Sequence, residues 1–157
     1  MLPDIPPHLN IPNPVKSGYI EQYLPYLLTD ILLPDEQYTY GSRIQEQIRF
    51  WTYALKKTPN TNQAILQVGT PEDYKLSDPP CLRHIDMRIK NGLLHFYPYF
   101  RSWDLWGGFP ANLAAIAVLQ RMMAEDIGVK IGEIVASSKG LHLYGYVEDL
   151  AKIRCLK

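Results

Sequence analysis

The sequence is poor in cysteine, carries no net charge and contains no long hydrophobic run. Its two cysteines, Cys81 and Cys155, lie far apart and do not suggest a disulfide framework. Sixteen basic and sixteen acidic side chains cancel, so bulk charge does not recruit nucleic acid or a membrane surface. Because no apolar run could cross a bilayer and no cationic leader precedes an apolar segment, we expect a cytoplasmic protein.

What the chain does contain is enough apolar material for one core. Its 157 residues are 46% hydrophobic, which predicts a single domain over residues 1–157. Prolines crowd the first 16 residues, which we expect to form an extended arm that either crosses a neighbouring surface or is disordered. Eleven tyrosines and three tryptophans suit either a stacking pocket or a large subunit interface.

Hydrophobic spacing in the first half predicts two helices. Apolar residues recur at helical spacing on both sides of Pro25. Ser42 followed by Gln45 has the form of a capping box, which places a helix start at Ser42. These patterns predict helices over residues 19–28 and 42–57, followed by a strand over residues 64–70.

The second half predicts a hairpin and a buried helix. Asn91-Gly92 is a strong turn signal between two strands. Pro110 suits the first turn of a helix that is apolar on every side from Leu113 to Leu119 and stops at Gly128. The expected strands cover residues 82–89, 93–101, 133–137 and 141–146, with a last helix over 147–153. This order predicts an α+β fold, with a mixed sheet packed on a buried central helix.

Polar side chains gather between the hairpin and the central helix. Arg101 and Ser102 end a strand, Asp104 lies in the following loop, and Asn112 falls in the first helical turn. Since a buried amide needs partners, Asn112 either caps a local group or faces a ligand. The cluster favours an anionic, hydrogen-bonding small molecule.

Cys81 follows two prolines, which hold its approach extended. It is either a buried structural cysteine or a nucleophile. As a nucleophile it needs a nearby cation to lower its pKa, and Arg101 could supply one across the predicted hairpin. Cys155 is not framed by residues of this kind, and we expect it to have no role in function.

These residues together resemble a known family. The motifs Pro79-Pro80-Cys81, Arg101-Ser102-x-Asp104, Pro110-x-Asn112 and His142-Leu143-Tyr144 occur in one order. They resemble the thymidylate synthase and deoxycytidylate hydroxymethylase family. With Tyr40-Gly41 and Thr58-Pro59-Asn60, the likeness covers roughly residues 38 to 153.

The resemblance implies roles for the phosphate and sulfur chemistry. Cys81 matches the nucleophile that adds to C6 of a pyrimidine, so that C5 can attack a one-carbon donor. Arg101 matches an arginine that binds the nucleotide phosphate beside the thiolate, and Ser102 matches a second phosphate ligand. Asp104 matches an aspartate near the pyrimidine and folate sites, counted with Cys81 and Arg101 as catalytic.

The resemblance also implies how the base and sugar are held. Asn112 matches the asparagine that contacts O4 and N3 of uracil, while His142 and Tyr144 match contacts to the deoxyribose hydroxyl. The implied activity is one-carbon transfer to dUMP from 5,10-methylenetetrahydrofolate or a related reduced pterin. It needs no metal, and the implied assembly is a homodimer.

The sequence departs from the family pattern at several positions. Asn62-Gln63 stands where the family carries two arginines that reach the partner subunit's phosphate site. Arg43, Arg49 or Arg83 could compensate for them. The residue after the nucleophile is Leu82 instead of the usual His, and Lys139-Gly140 replaces Gly-Asp.

Three hypotheses therefore stand. The first is a thymidylate synthase-type enzyme, and the second is a hydroxymethylase of a pyrimidine nucleotide, with Asn112 arguing against cytosine. The third is a dimerising nucleotide-binding relative without turnover, since the family's terminal segments, including the lid over the folate, find no match here. A natural short member, a truncated chain and a relative with altered chemistry all remain open.

Overall fold

A computed structural model describes residues 5, 7–14 and 16–155 of the chain. Within these residues the helices are α1 (Tyr19–Leu28), α2 (Tyr40–Lys57), α3 (Gly108–Ile127) and α4 (Glu148–Cys155). The strands are β1 (Ile65–Gln67), β2 (Leu82–Lys90), β3 (Leu93–Phe100), β4 (Trp103–Asp104), β5 (Lys130–Ile134), β6 (Ser137–Ser138) and β7 (Leu141–His142). None of the described helices is both long and apolar enough to cross a bilayer.

The main sheet is mixed, as the sequence predicts. Its order is β1-β2-β3-β5, and β6 also pairs with β3. β2 runs antiparallel to both β1 and β3, whereas β5 and β6 run parallel to β3. Parallel strands need a long crossover connection, and α3 forms most of the one between β3 and β5. β4 and β7 form a separate two-stranded parallel sheet.

The β2–β3 hairpin turns at Asn91-Gly92, where both residues have positive φ, 54° and 73°. Asn and Gly adopt this conformation at low cost, which is why the pair favours a two-residue hairpin turn. Lys90 pairs with Leu93 across it. The predicted turn is confirmed.

Helix α2 begins earlier than predicted. Thr39 is the N-cap: its hydroxyl accepts a hydrogen bond from the Ser42 amide at 3.0 Å, and the Ser42 hydroxyl accepts one from the Thr39 amide at 3.0 Å. Ser42 is therefore at position N3 of the helix, as the second partner of the capping box, and is not the N-cap. Gln45 donates to the Leu28 carbonyl at 2.6 Å and ties α2 to α1.

Helix α3 packs its apolar side on the sheet. Ala115, Ile116 and Leu119 belong to the core, and the helix ends at Gly128 in the left-handed conformation, φ 88°. The expectation of burial on every side was wrong at Ala117, which is exposed. The sheet and the other helices leave one side of α3 uncovered.

The C-terminal elements differ from the predicted ranges. The strand expected over 133–137 is divided into β5 and β6, and the strand expected over 141–146 ends at His142. Residues Gly145–Val147 form a 3-10 turn instead, and α4 follows. β5 begins early because Lys130 donates to the Gly92 carbonyl at the hairpin turn, at 3.0 Å.

The predicted arm over residues 1–16 lies partly outside the described residues. In the described part, Pro7–Leu9 form a 3-10 turn. The Pro12 carbonyl accepts a hydrogen bond from Trp106 Nε1 at 2.6 Å. Because the Arg154 guanidinium lies 3.9 Å from the centroid of the same ring, segments from both halves of the chain meet at Trp106.

Replacing Gly41 with alanine should destabilise the fold. A Cβ there would collide with the Thr29 carbonyl and lie 2.9 Å from the Leu27 carbonyl oxygen. Since backbone atoms cannot move aside cheaply, we expect Gly41→Ala to lower the free energy of unfolding by about 3 kcal/mol. Urea denaturation measures it. Gly145→Ala is the control, because its Cβ would meet nothing within 4 Å; equal stability of the two variants would contradict the prediction.

Candidate active site

Cys81 and Arg101 lie opposite each other where β2 begins and β3 has just ended. The Arg101 amide donates to the Cys81 carbonyl at 2.8 Å. The Arg101 side chain folds back over the same segment, donating from Nη2 to the Pro79 carbonyl at 2.6 Å and from Nε to the Pro80 carbonyl at 3.3 Å. The structure thus brings together the thiol and the guanidinium that the sequence suggested could be neighbours.

Burial is the largest influence on the Cys81 thiol. It raises the pKa of the half-buried thiol above its ordinary value, the Arg101 guanidinium acts to lower it, and the Asp78 carboxylate acts to raise it. The charge of Arg101 is partly offset because Asp78 pairs with its Nη2 at 3.3 Å. The cation is in place, but burial prevails in the free protein, and the pKa of Cys81 is raised.

Asn112 is buried in the second turn of α3, with 9% of its surface exposed. Its Oδ1 accepts a hydrogen bond from Trp103 Nε1 at 2.9 Å. The Trp103 ring is in turn stacked on Phe100, with 4.0 Å between ring centroids. Of the two expectations for this amide, the structure shows a local partner for the side-chain oxygen.

Two tyrosines that the sequence did not identify as site residues also lie at the site. Burial strongly raises the pKa of the Tyr23 hydroxyl; Tyr40, Tyr26 and, least of all, Cys81 add to this rise, and Asn112 acts to lower the pKa. Tyr40 Oη accepts a hydrogen bond from the Leu82 amide at 3.3 Å, next to the thiol. The signal for Tyr23 was present, since Tyr19, Tyr23 and Tyr26 recur along one face of α1.

Ser102, His142 and Tyr144 form a second polar group. Ser102 Oγ and His142 Nδ1 are 3.0 Å apart, and the His142 ring meets the Tyr144 ring edge-on, with centroids 5.1 Å apart. The β4–β7 pairing places His142 directly beside Asp104. Residues far apart in sequence therefore lie side by side because two short strands pair.

The Asp104 carboxylate fixes the entrance to α3. Its Oδ1 accepts a hydrogen bond from the Trp106 amide, and its Oδ2 accepts from the amides of Gly107 and Gly108, all at 3.0 Å. An ionised carboxylate can accept about four hydrogen bonds, so Oδ1 keeps capacity for one more donor. The visible role of Asp104 is to position the loop that carries Trp106.

Comparisons with known proteins identify the family of this chain. The family profile described as thymidylate synthase matches residues 34–154. The chain belongs to the thymidylate synthase family. A Methanosarcina barkeri protein named "Putative thymidylate synthase" is 31% identical over 140 residues, covering 85% of this chain and 64% of its own length.

Two further relatives extend the comparison. A thymidylate synthase from Listeria monocytogenes is 32% identical over 91 residues, covering 57% of this chain and 29% of its own. The structure of thermostable thymidylate synthase A from Bacillus subtilis superposes with a TM-score of 0.65 at 26% identity, covering 82% of this chain and 44% of that one. The chain therefore spans only part of the length of these relatives.

Residues that depart from the family pattern have clear positions in the fold. Leu82, in place of the usual His, is buried in the core. Asn62 and Gln63, in place of the arginine pair, are exposed in the loop between α2 and β1. Neither can supply a charge to a phosphate.

Two of the proposed compensating arginines are bound to a buried carboxylate. Asp73 pairs with Arg43 at 2.8 Å and with Arg83 at 2.9 Å. Burial alone would raise the pKa of Asp73, but hydrogen bonds from Thr70 and Arg43 outweigh it and lower the pKa. Arg49 is exposed on α2 and is not one of the two arginines that pair with Asp73.

Titration of the Cys81 thiol should report the opposing charges beside it. Removing the cation in Arg101→Gln should raise the pKa of the Cys81 thiol, and removing the carboxylate in Asp78→Asn should lower it, because the guanidinium favours the thiolate and the carboxylate disfavours it. Only the thiolate is alkylated rapidly, so the labelling rate follows the ionised fraction. The rate of iodoacetamide labelling against pH, measured in a Cys155→Ser background, gives both midpoints. Shifts of the same sign in the two variants would contradict this electrostatic account.

Proposed function

We propose that this chain transfers a one-carbon unit to C5 of dUMP, giving dTMP, through a covalent bond between Cys81 Sγ and C6 of the pyrimidine. The observation that supports it best is the placement of Arg101 across from Cys81, joined by the 2.8 Å backbone hydrogen bond. A thiolate adds to C6 and leaves again readily, and its addition makes C5 nucleophilic. Arg101 would stabilise the thiolate and bind the nucleotide phosphate through its fork of donors.

The base and sugar would be held by the two polar groups around this pair. Asn112 would contact O4 and N3 of uracil, since an amide can both donate and accept. Ser102 would add a phosphate contact, and His142 with Tyr144 would contact the deoxyribose hydroxyl. The hydrogen bond from Trp103 to Asn112 Oδ1 supports this assignment, because it leaves the amide in one orientation before the ligand arrives.

The one-carbon donor would be 5,10-methylenetetrahydrofolate or a related reduced pterin, which supplies the carbon that C5 attacks. Asp104 is the residue with the right chemistry to receive a pterin N–H, since its Oδ1 accepts only one hydrogen bond among the described residues. We assign Asp104 to positioning the donor relative to Cys81 and Arg101.

The sheet offers a face for the homodimer that the family relationship suggests. His95, Tyr97 and Tyr99 alternate along β3 with buried residues, so they lie on the face away from the core. Tyr97 is 41% exposed, and His84 stacks on Tyr99 with 5.6 Å between centroids. Aromatic residues are enriched at subunit interfaces.

Incubation with 5-fluoro-dUMP and 5,10-methylenetetrahydrofolate tests the reaction. The fluorine blocks completion, so intact-mass spectrometry should find a covalent adduct on Cys81. Cys155→Ser should retain the adduct and Cys81→Ser should lose it. Absence of the adduct in the folded wild-type protein would contradict the proposal.

Two other outcomes point to the alternative functions. Binding of dUMP by calorimetry without turnover would indicate a non-catalytic relative, a reading to which the raised pKa of Cys81 lends support. A product heavier than dUMP by a hydroxymethyl group would indicate a hydroxymethylase.

The dimer is tested separately. Light scattering after size exclusion should give twice the monomer mass for the wild-type chain, and Tyr97→Glu should shift it toward the monomer because a charge would be buried at the interface. Tyr74→Glu, at another exposed tyrosine, is the matched control. A monomeric wild-type chain would contradict the assignment.

A further inference from the structure

Arg83 occupies an irregular position between β2 and β3. Leu82 pairs with Phe100 and His84 pairs with Tyr99, so two steps along β2 match one step along β3. Arg83 is therefore the extra residue of a β-bulge. Bulges turn a side chain out of the regular alternation and are common beside active sites. This one lies two residues after Cys81.

Gly69 provides the path for the redirected side chain. The Arg83 carbonyl accepts hydrogen bonds from the amides of Val68 and Gly69, at 3.0 and 2.8 Å, which holds the bulge against the end of β1. A Cβ at Gly69 would collide with the Arg83 guanidinium. Glycine leaves this space open, so the bulge and Gly69 together allow the Arg83 guanidinium to lie here.

The two arginines then converge on one carbonyl. The Pro80 carbonyl accepts from Arg83 Nη1 at 3.5 Å and from Arg101 Nε at 3.3 Å. Pro80 is the residue before Cys81, so both guanidinium groups lie next to the thiol segment. They line a shared groove of about 420 Å³, together with Thr70, Pro71, Asp73, Tyr74 and Pro79.

Two guanidinium groups that share one carbonyl repel each other and need negative charges nearby. The two carboxylates that provide them differ in burial. Asp73 is buried and shared between Arg43 and Arg83. Asp78, by contrast, is 89% exposed in its side chain and pairs with Arg101 only at 3.3 Å. An exposed ion pair of this kind contributes little stability and is easily exchanged for another anion.

Both arginines retain donors for such an anion. Each guanidinium has five N–H groups. Among the residues that the structure describes, Nη2 of Arg83 and Nη1 of Arg101 have no hydrogen-bond acceptor. The Arg83 and Arg101 side chains are 26% and 32% exposed, so both are partly accessible to solvent.

We infer that Arg83 and Arg101 form a two-guanidinium subsite for the nucleotide phosphate, in which Arg83 supplies within one chain the charge that Asn62-Gln63 does not. The inference rests on the proposed function and names a phosphate ligand for it. Asp78 gives way to the phosphate, whereas Asp73 stays and holds Arg83 in position. Arg49 takes no part.

Binding of dUMP and of deoxyuridine, measured by calorimetry, isolates the phosphate. We expect Arg83→Gln to weaken dUMP binding about tenfold or more, as for the loss of a charged hydrogen bond, while deoxyuridine binding is unchanged. Gly69→Ala should act in the same direction, because it displaces the guanidinium without removing its charge. Arg49→Gln is the matched control and should leave both affinities unchanged. Thermal unfolding checks that each variant is folded.

The outcomes separate this inference from the proposed function. If wild-type protein prefers dUMP to deoxyuridine and Arg83→Gln and Gly69→Ala keep that preference, the phosphate lies elsewhere and only the inference is overturned. Equal weakening of both ligands by Arg83→Gln would show a merely structural role and overturn it too. If Arg83→Gln does not fold, Gly69→Ala decides the question. Wild-type protein that binds neither ligand would overturn both proposals.

Discussion

The pairing of β2 with β3 is the constraint on which the site depends. It is a local hairpin whose register is determined by a two-residue turn at one end and shifted by one residue by the bulge at Arg83 near the other end, and a slip of one residue would move every side chain to the opposite face. With the observed register, the residue after β3 lies opposite the residue before β2, and Arg101 bonds to Cys81 through the backbone. The relative placement of cation and thiol is thus a property of the sheet and does not depend on a flexible loop.

The rest of the site is held by polar groups that satisfy each other in the interior. The Asp104 carboxylate binds three backbone amides at the entrance to α3. One turn further on, the amide of Asn112 is oriented by Trp103. Buried polar groups are costly unless paired, and among the described residues no buried side-chain polar atom lacks a partner. These side chains are already held in place before a ligand binds, so binding loses less conformational entropy.

The arginine cluster shows why burial and charge have to be considered together. Asp73 is buried and balances Arg43 and Arg83, whereas Asp78 is exposed and balances Arg101 weakly. The buried pair fixes geometry, and the exposed pair leaves a charge available to an incoming anion. The same field acts on Cys81, where Arg101 opposes the effect of burial on the pKa.

The sequence by itself determined the local elements: the Asn91-Gly92 turn, the helix over 19–28, the stop at Gly128 and the α+β order, because spacing and turn chemistry are short-range. It also grouped Cys81, Arg101, Asp104 and Asn112 by resemblance. Only the tertiary structure decided that Thr39 caps α2, that α3 has an exposed side at Ala117, that Tyr23 reaches Asn112, and that a bulge turns Arg83 toward Arg101. These depend on which elements pack together and on single-residue shifts in strand pairing, and neither leaves a periodic signal in the chain.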